Sequence, residues 1–283
     1  MLRGNSPISP ASDTPTESLV DAHARMLLPS HESHEGSLAV QAGAGIAFEG
    51  SLPTTINGNV CGESVFTGDP VMTGVPGGDY ILERGGNAYQ DGCGPSTLSN
   101  RHTDAMKILA KPINGAIGGQ TFEAGTFSAA SFTIADTSAV TLRGGPGDIF
   151  LFQSGSYMVT GANTEFILQK PNGSIDGVTQ WVGVTGDDPA GPQAKNILFV
   201  LTAAATTGAE SKLPGSILAG AAITHGAGSD VSGYSLASAA MTIGSGCSLN
   251  LADIGYGVTS PIQDVIDRAL CFNVVNGEFE PCV

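Results

Sequence analysis

An 18-residue repeat in the second half of the chain restricts the folds that the protein can adopt. Three files of residues keep this spacing: Gly208, Gly226 and Gly244; Leu213, Val231 and Leu249; and Thr206, Thr224 and Thr242. Three copies in register indicate a repeat architecture. Because so short a unit cannot bury its own apolar side, the copies must stack on one another.

The composition favours many short strands over helices or disorder. Of 283 residues, 40 are glycine and only 13% are charged. Such a chain is too apolar for disorder and too rich in glycine for a helical bundle. Short strands separated by glycine turns account for it better. A repeat with three strands of about six residues predicts an all-β solenoid of triangular cross-section.

The charge balance narrows the possible partners. The net charge is −15, with only 11 lysines and arginines. This argues against nucleic acid and against an anionic membrane surface as partners. The sequence has no apolar run of about 18 residues that could span a membrane. The first residues also lack the apolar core of a secretory signal, so either export is not used or the start of the precursor is missing.

The chain divides into three predicted regions. Residues 1–36 are rich in Ser, Pro and Glu and are interpreted as a flexible lead-in. Residues 37–252 carry the strand pattern, interrupted by a helix predicted at 98–111 and by an insertion at 170–192. Residues 253–283, with one amphipathic run, are predicted to form a cap or tail.

Cysteine and histidine patterns give no sign of a metal site. Five cysteines are too scattered for zinc, which requires two close pairs: Cys61, Cys93, Cys247, Cys271 and Cys282. In an extracellular protein their order is compatible with disulfides Cys61–Cys93 and Cys271–Cys282, leaving Cys247 unpaired. The cluster His31, Glu32, His34 and Glu35 is interpreted as part of a solvated linker. We therefore expect no metal and no cofactor.

Strand alternation predicts which side chains of the repeat face outward. Bulky Ile223 and Met241 should face the core, which leaves their small neighbours outside. The segments DIFLFQSGSYM and NILFVLTAAAT match at an offset of 48, which extends the pattern with Tyr157 inward. Two outward files result: Thr133, Met158, Thr206, Thr224 and Thr242; and Ser131, Ser156, Ala204, Ala222 and Ala240. This uncharged grid either binds a ligand or packs on a neighbouring surface.

Several segments resemble the microbial ice-binding protein family of diatoms, snow-mould fungi and bacteria. They are TINGNVCGES, INGAIGGQTFEAGTF, GGPGDIFLFQSGSYMV, QAKNILFVLTAAATTGAESKLPGSILAGAAIT and GYSLASAAMTIGSG, in the family's order. The resemblance implies a right-handed, discontinuous β-solenoid flanked by one long helix, with its first coil between later ones. It also implies ice binding through one flat face, to which Ala42 would belong. The family's Thr-small-x-Thr runs read Ala-Ala-Ile-Thr and Ala-Ala-Met-Thr at 221–224 and 239–242.

Two other functions compete with ice binding. A polysaccharide-degrading β-helix requires clustered carboxylates, whereas Asp187 and Asp188 lie in a Gly/Pro loop and His225 is predicted to face inward. A non-enzymatic adhesion or carbohydrate-binding module could use the same flat face. We expect a secreted, extracellular monomer that is not an enzyme. Its partner would be the ice surface, giving freezing-point depression and inhibition of recrystallisation.

Overall fold

The parallel strands form three stacks around a common core, and two of the described helices lie along one side. The computed structural model describes residues 38–50, 52, 54–57, 59–67, 71–73, 95–185, 188–250, 261–270, 273–275 and 278–280. The first elements are β1 (Leu38–Phe48), β2 (Thr55–Asn57), β3 (Asn59–Thr67), β4 (Val71–Thr73) and helix α1 (Pro95–Met106). Next come β5 (Lys111–Pro112), β6 (Thr121–Glu123), β7 (Gly125–Ala129), β8 (Phe132–Ile134), β9 (Ala139–Arg143), β10 (Phe150–Ser154), β11 (Met158–Thr160), β12 (Glu165–Ile175) and β13 (Val178–Val184).

The second half of the chain continues the same pattern with shorter strands. A 3-10 turn at Ala194–Asn196 leads into β14 (Ile197–Leu201), β15 (Ala205–Thr207), β16 (Lys212–Pro214), β17 (Ser216–Ala219), β18 (Ile223–His225) and β19 (Asp230–Ser232). Then follow β20 (Ser235–Ala237), β21 (Met241–Ile243), β22 (Ser248–Asn250), helix α2 (Pro261–Leu270), β23 (Asn273–Val275) and β24 (Glu278–Glu280). The predicted all-β solenoid of three-sided section is confirmed.

Each complete coil contributes one strand to each of three faces. The helix-covered face runs in the order β5-β7-β10-β14-β17-β20 and then the first half of β1. The open face runs β8-β11-β15-β18-β21 and then the second halves of β1 and β3. The polar face runs β6-β9-β12-β16-β19-β22-β2-β4.

The order of coils in space departs from the order in sequence. Strand β1 pairs with β20 and β21 on one side and with β3 on the other, although all three come later in the chain. The expected discontinuity is therefore present. Because β4 and β5 lie at opposite ends of the stack, the segment that includes α1 carries the chain from one end to the other.

The repeated glycines lie where one corner of each coil touches the next. A Cβ atom added to Gly226 would lie 2.6 Å from the backbone N of Ala209, and one on Gly244 would lie 2.6 Å from the backbone N of Ala227. Real Cβ contacts of this length are sterically forbidden, so only glycine fits. The 18-residue spacing of glycine therefore reflects close backbone approach at a corner, repeated once per coil.

Inside the solenoid, aromatic rings form a ladder beneath the helix-covered face. Phe127, Phe152 and Phe199 occupy consecutive coils in register. The ring of Phe152 stacks on Phe127 at 5.3 Å and on Phe199 at 5.1 Å between centroids. Aromatic pairs at this separation contribute about 0.5–1.5 kcal/mol each beyond their buried area. The ladder therefore stabilises the longer, less repetitive coils of the first half.

Both helices cover apolar side chains that point outward from the helix-covered face. Leu151, Leu198, Leu218 and Leu236 are each at most 2% exposed, because α1 and α2 pack over them. The Nε2 of Gln153 donates to the carbonyls of Ala105 (2.8 Å) and Ile108 (2.9 Å) and so satisfies the end of α1.

The helix predicted at 98–111 is displaced and is accompanied by a second one. It spans Pro95–Met106, and Lys111 already belongs to β5. Leu98 and Ile108 are buried as the apolar stripe requires, but Leu109 is 63% exposed. Helix α2 comes from the predicted cap or tail, and its buried Ile262, Val265 and Ile266 pack on the flank of the solenoid.

The insertion at 170–192 forms a hairpin that extends the polar face. Strands β12 and β13 pair antiparallel, and Asp176 and Gly177 at the turn both have positive φ (51° and 76°). This is the geometry of a type I′ turn, which Asp-Gly favours. Trp181 lies over Arg143, with the guanidinium carbon 5.3 Å from the ring centroid. The hairpin is therefore an ordered attachment to the polar face.

Two cysteine expectations can be compared with the structure. Cys61 is disulfide-bonded, while Cys247 is a buried free thiol. The expected partner Cys93 and the pair Cys271 and Cys282 lie outside the described residues. His31, Glu32, His34 and Glu35, within the predicted lead-in, also lie outside them.

A buried histidine is the clearest titratable group in the core. The ring of His225 is held between the hydroxyls of Thr207 (Nδ1–Oγ1, 3.1 Å) and Ser235 (Nε2–Oγ, 3.0 Å). Desolvation lowers the pKa of His225 to about 4. The imidazole is therefore neutral at pH 7, and the predicted inward orientation is confirmed.

We expect the stability of the protein to depend on pH through His225. The unfolded chain protonates this histidine near its ordinary pKa of 6.5 and the folded chain only near pH 4, so stability is lost as pH falls through this window. In the variant His225→Gln this contribution disappears, which removes about 2 kcal/mol of the change in unfolding free energy between pH 7 and pH 4.5. Denaturant unfolding of both proteins at the two pH values measures it. Equal pH dependence in both would contradict the assignment.

Candidate functional site

The open face differs from the other two faces, because no described element packs over it and its outward side chains carry no charge. On the polar face, outward positions carry Glu123, Arg143, Glu165, Lys212 and Asp230. The helix-covered face is buried. The open face instead presents two parallel files of outward side chains, none of them charged. It is therefore the candidate functional surface.

Backbone pairing fixes the members of both files. The first file is Ala116, Thr133, Val159, Thr206, Thr224, Thr242 and Ala47. The second file is Ser131, Tyr157, Ala204, Ala222, Ala240 and Gly45. Consecutive members of a file are about 4.8 Å apart, and the two files lie about 6.7 Å apart along the strands. Apart from Tyr157 and Val159, the result is a regular array of methyl and hydroxyl groups.

The threonine hydroxyls of the first file are available to solvent. Thr133 is exposed, and Thr206, Thr224 and Thr242 are half-buried. Within the part of the chain that the structure describes, no protein group hydrogen-bonds to their side chains. A hydroxyl can donate one hydrogen bond and accept two. Each of these threonines can therefore hold ordered water beside a methyl group.

Eight of the predicted face residues occupy the predicted files. They are Thr133, Thr206, Thr224 and Thr242 in the first file, and Ser131, Ala204, Ala222 and Ala240 in the second. The structure brings them together on the open face. Their contact with a ligand stays a prediction.

The predicted outward positions of Met158 and Ser156 are wrong. Met158 is fully buried and pairs with Phe132 and Ala205, both of which face the core. The strands therefore match at an offset of 47 rather than 48. A shift of one residue exchanges the two sides of a strand, so Tyr157 and Val159 point outward instead. Ser156 lies one residue before the second file.

The predicted position of Ala42 on the open face is also wrong. It pairs with Ala237 in the half of β1 that belongs to the helix-covered face, and it is fully buried. Residues Gly45 and Ala47, in the second half of β1, are its true contribution to the open face, since Ala47 pairs with Thr242. The long strand β1 passes through the corner and serves both faces.

Among the described residues, the alternatives to the open face are a metal site, a catalytic carboxylate and a ligand cleft, and each of these is less well formed. No group of three or more His, Cys, Asp or Glu side chains in the described ranges could hold a metal ion. The carboxyl of Asp188 accepts a hydrogen bond from the Ala190 N–H and forms an ion pair with the Lys170 ammonium (Nζ–Oδ2, 2.9 Å). Both contacts lower its pKa. Asp187 lies outside the described residues. A cleft of about 900 Å³ at the β5–β6 end has mixed walls that include Phe122, Lys111 and Glu123.

We expect substitutions at Met158 and Val159 to separate the two possible registers. Met158→Thr replaces a buried apolar side chain by a smaller polar one, so it should lower the unfolding free energy by about 3 kcal/mol. Val159→Thr changes an exposed residue and should cost no more than about 0.5 kcal/mol. Denaturant unfolding of both variants provides the comparison. An offset of 48 would give the opposite order.

Comparison with known proteins agrees with this architecture. The family model described as ice-binding-like matches residues 40–246. None of the curated proteins matches the chain. None of the helices within the described ranges is both long and apolar enough to cross a membrane.

Three solved structures of similar fold come from Antarctic and Arctic sources. The ice-binding protein of the Antarctic ascomycete Antarctomyces psychrotrophicus shares 22% identity at a TM-score of 0.59, covering 79% of this chain and 98% of that one. An ice-binding protein from an Antarctic biological consortium shares 20% identity at a TM-score of 0.58, covering 88% and 96%. An ice-binding protein of an Arctic yeast shares 15% identity at a TM-score of 0.57, covering 79% and 94%. These likenesses show the fold, and the family match over most of the chain shows that it belongs to the ice-binding-like family.

Proposed function

We propose that the protein binds ice through the open face and thereby depresses the freezing point and inhibits recrystallisation. The observation that carries this proposal is the uncharged array of Thr, Ser and Ala, over which no described element packs, on a chain of net charge −15. Membership of the ice-binding-like family supports it. So do the similar structures, which are those of ice-binding proteins.

The chemistry of the array suits a contact made through ordered water. Methyl groups of Ala and Thr restrict the water molecules beside them, whereas Thr hydroxyls hydrogen-bond to water and hold it in place. Charged groups would bind water too strongly and orient it differently from a crystal lattice. A layer of water held in this way can merge with the surface of a growing crystal.

Rigidity of the face lowers the entropic cost of adsorption. The threonines lie on strands of a continuous parallel sheet, with Thr206, Thr224 and Thr242 directly in register. Their backbones are hydrogen-bonded on both sides, so binding does not have to order them. Adsorbed molecules force the ice front to curve between them, and a curved front freezes at a lower temperature.

We place this activity outside the cell and assign it to a single chain without enzymatic chemistry. The disulfide at Cys61 supports an oxidising compartment. Adsorption needs no proton transfer, metal or cofactor, and one face of one molecule is sufficient for it. The ice surface is then the only partner required.

The central prediction concerns a bulky substitution on the open face. In Thr224→Tyr, a phenol ring would interrupt the middle of the array, so thermal hysteresis should fall about tenfold or more, as for a central contact in an interface. Nanolitre osmometry measures thermal hysteresis, the gap between melting and freezing temperatures. Circular dichroism and the unfolding temperature verify that the fold persists.

A matched control lies in the same coil. Ser232→Tyr places the same ring on the polar face, at an outward position of β19, and should leave thermal hysteresis unchanged. If the two variants lose equal activity, the open face is not the binding surface. If the unmodified protein leaves ice crystals round and shows zero hysteresis, while it adheres to carbohydrate, the face serves adhesion instead.

A further inference from the structure

Two side chains on the open face are much larger than the rest. Tyr157 is 43% exposed and Val159 is 40% exposed, and both belong to β11 or the residue before it. Every other member of the two files is Ala, Ser, Thr or Gly. We call the two outward residues that one strand contributes to the files a rung. The two large residues therefore form one rung of an array whose other rungs consist of small residues.

Hydrogen bonds locate this rung inside the face and not at its edge. The N–H of Phe132 donates to the carbonyl of Tyr157 at 2.9 Å, and the N–H of Met158 donates to the carbonyl of Ala204 at 3.1 Å. Tyr157 thus lies between Ser131 on one side and Ala204 on the other. Because the rungs are about 4.8 Å apart, a phenol ring standing on one of them stands well above the methyl and hydroxyl groups of its neighbours.

A flat ice surface cannot contact the open face on both sides of a protruding ring at the same time. Dispersion contacts lose a quarter to a half of their energy when the gap widens by only about 0.5–1 Å. Water ordered by the face must also stay at a constant height to continue one lattice plane. A protruding ring therefore separates the surfaces on its two sides, and each side adsorbs alone.

We propose that the rung of Tyr157 and Val159 divides the open face and confines ice contact mainly to the larger of two fields. This inference rests on the ice-binding function proposed above. The larger field has the rungs Ala204/Thr206, Ala222/Thr224, Ala240/Thr242 and Gly45/Ala47, and it continues into the backbone of β3, where Ser64 and Thr67 pair with Gly45 and Ala47. The smaller field holds only Ser131/Thr133 and Ala116. Tyr157 thereby limits the activity of the protein.

The lengths and the backbone pairing of the two fields agree with this division of the face. From Ala204 to β3 the larger field spans about 19 Å, whereas the smaller field spans only about 5 Å, at the strand spacing of a sheet. The larger field also coincides with the regular coils, whose threonines are aligned directly by backbone pairing. The smaller field ends where Ala116 makes an isolated bridge to Thr133. Only the larger field combines length with regularity.

The test removes the step and measures whether activity rises. In the double variant Tyr157→Ala/Val159→Thr, the small residues would run without interruption across both fields, so thermal hysteresis should increase by about twofold with the usable area. Each single variant should give a smaller increase. Osmometry at equal protein concentration is the readout, and the unfolding temperature is measured alongside to confirm that the variants are folded.

Paired substitutions examine the two fields separately. A tyrosine at Thr224 should reduce hysteresis about tenfold or more, because it interrupts the larger field. The same residue at Thr133 should reduce it by at most about twofold, since the smaller field contributes little. Ser131→Tyr serves as a second probe of the smaller field in case Thr133→Tyr does not fold.

The outcomes distinguish this inference from the function on which it rests. If the double variant loses activity, Tyr157 itself contacts ice and the division is overturned, while ice binding stands. Equal losses in Thr133→Tyr and Thr224→Tyr would also overturn it. Zero hysteresis in the unmodified protein would remove both proposals together.

Discussion

Close approach of successive backbones is the constraint on which the rest of the structure depends. At the corner of each regular coil, glycine allows the next turn of chain to approach to a distance that a side chain would forbid. The parallel strands on either side of the corner are therefore held at one repeat distance. Both the buried ladder of Phe127, Phe152 and Phe199 and the outward array of Thr206, Thr224 and Thr242 inherit this spacing. Regularity of the surface is thus a consequence of how tightly the backbone stacks.

The three faces divide the tasks that any solenoid has to perform. One face buries leucines under two helices and contributes much of the stability, at about 1.5–3 kcal/mol for each fully buried side chain. A second face carries charged groups and the ordered hairpin with Trp181. Because these two faces take up the stabilising and charged side chains, the third can consist of small uncharged ones. The open face therefore does not have to supply the buried side chains or the charged groups that the other two faces provide.

The sequence predicted the regular coils well and the irregular ones poorly, for a physical reason. Between Thr206 and Thr242 the 18-residue spacing settles which residues lie opposite one another, so their sides were placed correctly. Strands β10 and β14 are buried on both sides, and such strands show no alternation from which to read a register. The offset was therefore wrong by one residue, which put Met158 outside and Tyr157 inside. Ala42 was misplaced because β1 runs through a corner, which local sequence does not reveal. The amphipathic run of α2 was recognised, but its packing partners depend on the tertiary fold.

The position of β1 has a consequence for how the chain is made. This strand comes near the start of the sequence, yet it completes the sheet only beside β20 and β21, almost two hundred residues later. At translation rates of about 5–20 residues per second, its partners leave the ribosome roughly 10–40 s after it does. Until then β1 can associate with β3 but not with its final neighbours on the other side. Contacts so distant in sequence slow folding. The solenoid is therefore completed only after β20 and β21 have been synthesised, so that β1 is among the last strands to find its place.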